Sequence, residues 1–347
     1  MRTSLKPTHP DRDRLLELAG AMRRLRIAVV GDLVLDLYWV GRSHRISREA
    51  PVLILEYEEE RGVPGGAANA AMNVRALGGV PHLVGRIGDD PEATVLRRAL
   101  RGSGMPTRWI QRDAAAGTVV KTRVLAGSRH AARQQIVRLD RGHGAPLSAS
   151  VERAVARAAA SAVRAADAVL LSDYGYGVLS APVRLAAVQA ARKRGAPVVV
   201  DSRYSLTSYR GVTLLTPNEH EVLEVLKLRS LGLSVLRRAG EDLRRRTSAQ
   251  AVWITRGSDG MLLLERGRPA LRLSIVGSSD VADVTGAGDA VSAAGALALA
   301  AGATQLEAAI VATYAASVVV MKRGTATVTG GELVDAIQSH PPPSVRT

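Results

Sequence analysis

The sequence predicts an α/β fold: a central, mostly parallel sheet covered by helices on both faces, with a small second sheet projecting from it. Two observations carry this. Short apolar runs alternate with longer runs of helical period along most of the 347 residues, the pattern of a wound parallel sheet. Two stretches, Tyr38 to Tyr57 and Thr118 to Leu139, break the alternation with extended segments and no helix between them.

Taken in order, residues 1–10 read as disordered. Residues 11–24 read as a short helix with Leu15, Leu16, Leu18 and Met22 on its apolar side. Ile27-Ala28-Val29-Val30, ending at Gly31-Asp32, is β-branched and continuously apolar, so it reads as a first buried strand. Val52-Leu53-Ile54-Leu55-Glu56-Tyr57 and Thr118 to Leu125 mark the projecting sheet, over about 37–57 and 117–140. It is expected to be antiparallel and placed as a lid or a dimer surface. Helical periods are read at 67–78, 92–103, 149–166, 181–194, 219–226, 232–246, 288–302, 304–321 and 331–339. Further short apolar strands are read at 82–85, 168–172, 197–201, 212–216, 251–255 and 261–265. One domain thus runs over 25–340 after a 1–24 extension, and Pro341-Pro342-Pro343 ends it, leaving 341–347 as a tail.

Composition narrows the function classes. With 46% hydrophobic residues but no Phe, a sizeable core must be built from Leu, Val, Ile and Ala. The absence of Cys excludes disulfides, iron–sulfur clusters and thiolate metal sites. No apolar run approaches a membrane span, Val291 to Gly302 being too short, and the first residues through Arg14 are too polar for a signal peptide. The reading is a cytoplasmic protein without a membrane partner. A net charge of +15 raises nucleic-acid binding as a possibility. The charge is nearly all Arg, however, and its clusters (Arg23 to Arg26, Arg97 to Arg101, Arg237 to Arg246) fall on separate helices without aromatics for base stacking. An anionic small substrate profits from the same positive field, so nucleic acid is not the expected partner.

The most informative stretch is Asp283-Val284-Thr285-Gly286-Ala287-Gly288-Asp289, followed at once by an Ala-rich helical run. Small residues there let backbone N–H groups converge at a helix start, which holds an anion. Asp289 inside such a nest is costly beside a phosphate unless it takes a proton from an attacking hydroxyl. The stretch reads as a phosphoryl-transfer centre, although a Gly-rich turn capped by Asp would look similar. Gly65-Gly66-Ala67-Ala68-Asn69 opens another helix: the glycines permit close approach of a ligand, and Asn69 suits vicinal sugar hydroxyls. Asp32 and Asp36 flank the end of the first strand, where ligands of open α/β sheets gather and where caps also occur. Asn218 and Glu221 share a helix face and could hold Mg²⁺ through water; their spacing is equally that of a capping box. Thr255, Gly257 and Gly260 lie in a turn that would admit a nucleotide or simply join two strands. No His pair has metal-ligand spacing, and no G-x-x-x-x-G-K-[ST] loop is present.

In this order, these segments resemble the PfkB/ribokinase family of sugar kinases over about 25–340. The paired signatures are Gly65 to Asn69 with Gly78, Gly85, Gly88 and Asp90 downstream, and Asp283 to Asp289; Asn218-Glu219-His220-Glu221 matches the family's N-x-x-E motif. Gly31 to Trp39, Arg45 to Val52, Arg133 to Asp140, Leu171 to Tyr174 and Tyr209 to Asn218 are most similar to the kinase half of bacterial heptose 7-phosphate kinase/ADP-heptose synthases. The resemblance implies a ribokinase-like, Rossmann-type core with a β-lid, a homodimer through that lid, and a place in nucleotide-sugar biosynthesis. It implies ATP and Mg²⁺, with K⁺ as a further ion, and transfer to the anomeric hydroxyl of a heptose 7-phosphate. On that basis Asp289 is the base, and the N–H groups of Gly286, Ala287 and Gly288 stabilise the transferred phosphoryl group. Asp36 and Asn69, beside Gly65 and Gly66, bind sugar hydroxyls. Arg45, Lys121, Arg123 and Arg138 serve the distal phosphate. Asn218 and Glu221 organise Mg²⁺, and Thr255, Gly257 and Gly260 lie along ATP. Asp283 and Thr285, with the Lys322 to Thr327 loop, hold the monovalent cation. The chain departs from that branch at Asp201-Ser202-Arg203, where Asp-Pro-Lys is the pattern, and the two basic side chains are not interchangeable at a phosphate. The adenylyltransferase half lies outside these residues, so a separate protein is expected to activate the sugar phosphate. Two alternatives stand beside this reading: a kinase of the same family for another sugar or nucleoside, and a non-catalytic nucleic-acid-binding regulator on the same fold. The intact Asp289 and Gly286-Ala287-Gly288 argue against the last.

Overall fold

The computed structural model describes residues 10–127, 133–142, 145–228, 232–278 and 281–347. The expected disorder over 1–10 falls, up to residue 9, outside the described residues. The chain begins with α1 (Arg12–Ala21), β1 (Arg26–Gly31), β2 (Leu33–Ile46), β3 (Leu53–Gly66), α2 (Ala67–Ala76) and β4 (Val80–Ile87). Then come α3 (Pro91–Gly102), β5 (Ile110–Arg112), β6 (Val119–Gly127), β7 (Gln134–Arg141), α4 (Ala149–Arg164), β8 (Ala168–Asp173), α5 (Ala181–Arg194) and β9 (Val198–Ser202). The remainder is β10 (Leu214–Leu215), α6 (Glu219–Leu226), α7 (Leu233–Thr247), β11 (Ala251–Thr255), β12 (Met261–Glu265), β13 (Leu271–Leu273), α8 (Ala287–Ala300), α9 (Gln305–Val319), α10 (Gly330–Ser339) and β14 (Val345–Arg346).

Ten strands form one sheet in the order β14-β13-β12-β11-β10-β9-β8-β1-β4-β5, parallel from β11 to β5 and antiparallel from β12 to β14. Continuous apolar runs make the parallel strands because both of their faces are covered. Ile27 and Val29 point to a core shared with α1, α2, α3, α8, α9 and α10, whereas Ala28 and Val30 point to one shared with α4 to α7. Reciprocal caps start α6, α9 and α10: Asn218 with Glu221, Thr304 with Glu307, and Thr329 with Glu332. Gly31 ends β1 so close to β8 that a Cβ there would lie 1.9 Å from the Ser172 carbonyl oxygen. Among the described residues, no helix is long and apolar enough to cross a membrane.

The second sheet has the order β3-β2-β6-β7. It was expected to be antiparallel and is mixed, because β2 and β6 run parallel while each pairs antiparallel with its own return strand. Both β2 and β6 leave the body in the same direction, so side by side they can only be parallel. Three short strands were not anticipated: β5, β13 and β14. The last lies beyond Pro341-Pro342-Pro343, so the chain does not stop contributing to the sheet at the prolines but pairs Val345 with Leu273.

Candidate active site

The carboxyl ends of β8 to β11 and the roots of β2 and β6 open onto one cleft of about 300 Å³. Of the residues singled out from sequence, Asp36, Gly66, Lys121, Arg123, Arg138, Asn218, Glu221, Thr255, Thr285, Gly286, Gly288 and Asp289 line it. They run from Asp36 to Asp289 in the sequence and are brought together only by the folded topology.

Asp289 sits in the first turn of α8, whose N-cap Gly286 adopts φ 84°, the left-handed conformation that glycine tolerates. Its carboxylate is buried and held by side chains: Asn69 Nδ2 donates to Oδ2 (2.7 Å) and the Tyr174 hydroxyl donates to Oδ1 (2.8 Å). Asn69 clamps the carboxylate, brought there because α2 packs against α8, and is not among the residues lining the cleft. Burial, then the neighbouring Asp201 charge, push the Asp289 carboxyl up to about 7, against the two hydrogen bonds that pull it down. The N–H groups of Gly286 and Gly288 make no hydrogen bond among the described residues, whereas that of Ala287 donates to the Val284 carbonyl (3.2 Å). Two of the three expected anion-binding amides are thus available, and Ala287 is committed to the turn.

Asp36 accepts from Arg123 (2.6 Å) and from the Thr325 hydroxyl (2.8 Å). Arg123, expected at the distal phosphate, is therefore an ion-pair partner of Asp36. Gly65 does not line the cleft; a Cβ there would stand 2.5 Å from Asp36 Oδ2, so its smallness makes room for that carboxylate. Lys121 donates to Asp140 (3.0 Å) and to the Tyr176 hydroxyl (2.8 Å), and Arg138 shares Asp140. Arg45 is exposed on the lid, away from the cleft. Asp32, the other carboxylate flagged at the end of β1, is fully buried and accepts from the N–H groups of Tyr174, Tyr176 and Val178. It anchors the loop after β8 and is not a ligand; burial raises its carboxyl to about 6 against those three bonds.

Asn218 and Glu221 form the capping box of α6, with bonds of 2.9 and 2.8 Å, so the capping reading of that spacing is realised while both still face the cleft. Glu221 accepts from the Asn218 N–H and faces the cleft, where its carboxylate could hold a magnesium ion through water. Among the described residues, no group of three or more His, Asp or Glu is placed to ligate a metal ion. Burial raises the Glu221 carboxyl, with Asn218 opposing. Thr255 bridges to Asn218 at the cleft, but Gly257 and Gly260 do not line it. Gly260 has φ 81°, and a Cβ would strike the Leu273 carbonyl at 2.0 Å, so the turn itself explains that glycine. Asp283 lies behind the cleft wall, accepting from Thr285 N and Gly324 N (both 2.9 Å). Burial pushes its carboxyl up, but these bonds prevail and hold it below the usual carboxylate range.

Sequence reasoning gave no individual role to Asp173, Tyr174 or Asp201, and met Arg203 and Thr325 only as the divergent basic residue at a phosphate and as part of the Lys322 to Thr327 loop; all five line the cleft. Asp173 accepts from Ser202 and Tyr209. Burial, then Glu221, push the Asp201 carboxyl up to about 7, with Arg203 opposing. The signal that could have found the first four is the one applied to Asp32: each follows or ends a strand at its carboxyl end.

A family model described as pfkB family carbohydrate kinase matches residues 24–329. Bifunctional protein HldE of Halorhodospira halophila is 42% identical over 329 residues, covering 93% of this chain and 65% of that protein. Its counterpart in Pseudomonas aeruginosa PAO1 is 41% identical over 318 residues, covering 90% of this chain and 63% of that one. The chain thus spans just under two thirds of the length of these relatives. Among solved structures, Arabidopsis thaliana ribokinase complexed with ribose and ATP superposes with a TM-score of 0.67 at 21% identity, over 91% of this chain and 99% of that one. Escherichia coli phosphofructokinase-2 in complex with potassium gives 0.71 at 18% identity with the same coverage. These likenesses fix a ribokinase-like fold, and with the family match over most of its length the chain belongs to the pfkB family of carbohydrate kinases.

Proposed function

We propose that this chain transfers the terminal phosphoryl group of ATP to the anomeric hydroxyl of a heptose 7-phosphate, giving the 1,7-bisphosphate and ADP. The observation that carries the reading is Asp289 at the start of α8, beside the two uncommitted N–H groups of Gly286 and Gly288. The acceptor O–H bond breaks as its proton passes to Asp289, the new O–P bond forms, and the bond to the leaving ADP oxygen breaks. The two amides take up negative charge on the moving group. A magnesium ion on the phosphates would supply further neutralisation, held through water by Glu221 and Asn218. The charge at the lid mouth suits a second phosphate: Lys121, Arg123 and Arg138 face two carboxylates, Asp36 and Asp140. Heptose specificity is supported by the motif resemblance and by the relatives at about 40% identity.

Further parts of the reading extend this. A monovalent cation would bind near Asp283 and Thr285, whose loop is tied to Gly324; the phosphofructokinase-2 structure with potassium supports the choice of ion. A homodimer would form through the lid, where Ile46, Leu53, Ile136, Val137 and Leu139 are exposed. We assign the reaction to the cytoplasm, where ATP is plentiful. A second reading, another sugar or sugar phosphate as acceptor, is favoured by one observation: Arg203 of the divergent Asp201-Ser202-Arg203 faces the cleft. A screen of sugars and sugar phosphates with Mg-ATP, followed by ADP release, tests both. Heptose 7-phosphate should give the highest kcat/KM; preference for an unphosphorylated sugar would overturn the assignment.

A further inference from the structure

We propose that Tyr174 is a positioning residue for the transfer reaction: its hydroxyl and the Asn69 amide clamp the two oxygens of Asp289 from opposite elements, fixing the carboxylate so that its remaining lone pairs face the cleft. The clamp is built from fixed parts. Asn69 belongs to α2, and its own neighbour Asn73 donates to its carbonyl (3.1 Å). Tyr174 follows β8, and its backbone N–H is pinned by the buried Asp32 (2.8 Å). The Arg203 guanidinium lies 4.4 Å over the Tyr174 ring, so the ring is held from the other side. Among the described residues each Asp289 oxygen has one side-chain donor, and a carboxylate oxygen has lone pairs for two, which leaves capacity for an incoming hydroxyl.

The charges around Asp289 explain why it needs such a partner. Asp201 from β9 and Asp36 from β2 face it and make its ionised form costly, as burial does; Asn69 and Tyr174 favour that form. Arg203 acts on Asp201 and Tyr174. Burial, then Asp289, raise the Tyr174 hydroxyl well above its ordinary value, so it keeps its proton and remains a donor across the working pH range. Loss of that donor leaves Asn69 as the one side-chain donor among the described residues, and the carboxyl gives up its proton only at higher pH.

The proposal rests on the kinase reading for its kinetic test but has a second test free of it. In Tyr174→Phe, which keeps the ring under Arg203, the acid limb of kcat/KM for phosphoryl transfer should move up by about one pH unit, the worth of one charge-assisted hydrogen bond. The plateau kcat should fall severalfold, with KM for ATP unchanged. An acid limb left where it is in the wild type overturns the proposal, whatever happens to stability or KM. Independently of turnover, infrared titration can follow the protonated carboxyl band assigned to Asp289 by its loss in Asp289→Asn. That band should also titrate at higher pH in Tyr174→Phe; an unmoved titration overturns the clamp even if no acceptor is ever found. A wild type that turns over no sugar phosphate, with the band shifted as expected, sinks the heptose 7-phosphate assignment and leaves the clamp standing.

Discussion

Replacing Asp289 by Asn should make the protein more stable at neutral to alkaline pH while stopping catalysis. Burial and Asp201 raise this carboxyl from 3.8 to about 7. A shift of roughly three units corresponds to ~4 kcal/mol spent on holding the charged form in the fold. Because the folded-state value lies above the unfolded one, the relative stability is fully present below about pH 4 and is lost as pH rises through about 7. An Asn side chain removes that charge but must re-pair with Asn69, whose amide now donates to Oδ2. One imperfect hydrogen bond costs ~1 kcal/mol, so the net gain near pH 8 should be ~2–3 kcal/mol, disappearing near pH 4. Urea unfolding of both proteins at the two pH values reads this directly. An unfolding midpoint at pH 8 equal to or below that of the wild type would refute the electrostatic account. Turnover with Mg-ATP should drop at least about a hundredfold in the same variant, the low end for loss of a general base. Wild-type-like turnover would reject Asp289 as the base.

Gly31→Ala places a Cβ 1.9 Å from the Ser172 carbonyl, a contact with backbone that cannot yield without separating β1 from β8. Thermal melting should show a loss of about 3 kcal/mol or more, the upper range for overpacking; a loss below about 1 kcal/mol would contradict the close approach. Ile136 and Leu139 are about half exposed on β7, so Ile136→Asp with Leu139→Asp should leave monomer stability within about 0.5 kcal/mol and shift sedimentation from dimer to monomer. A dimer that persists would exclude the lid as the interface.

The body of the fold was legible because a strand covered on both faces has to be apolar at every position, and such runs are visible one at a time. The short edge strands Ile110–Arg112, Leu271–Leu273 and Val345–Arg346 hold too few residues to show a period. The lid topology was hidden for a different reason: extended segments announce themselves by composition, but which ones become neighbours depends on where the body releases them. The same divide runs through the site. Gly286 and Gly288 marked the helix start because backbone amides require small residues there. Asn218 and Glu221 carried two meanings in one spacing, and the structure shows the cap being used in full. Tyr174 and Asp201 are ordinary residues at strand ends; Tyr174 meets Asp289 from 115 residues away, and Asp201 comes to face Glu221 only through the fold. Their significance is a property of the folded neighbourhood alone.

The helix that presents Asp289 is rich in buried methyl groups. Ala290, Ala293, Ala294, Ala296 and Ala298 are fully buried, as are Ala308, Ala309, Ala312 and Ala315 on the adjoining helix. Residues this small let the two axes approach closely and leave little slack to absorb an added methylene. Enlarging one of these alanines would push the rear of the helix sideways, and its front end, which carries Asp289, would follow. Mutations remote from every ligand can therefore misalign the catalytic centre by fractions of an ångström, and activity should fail along this seam before folding does.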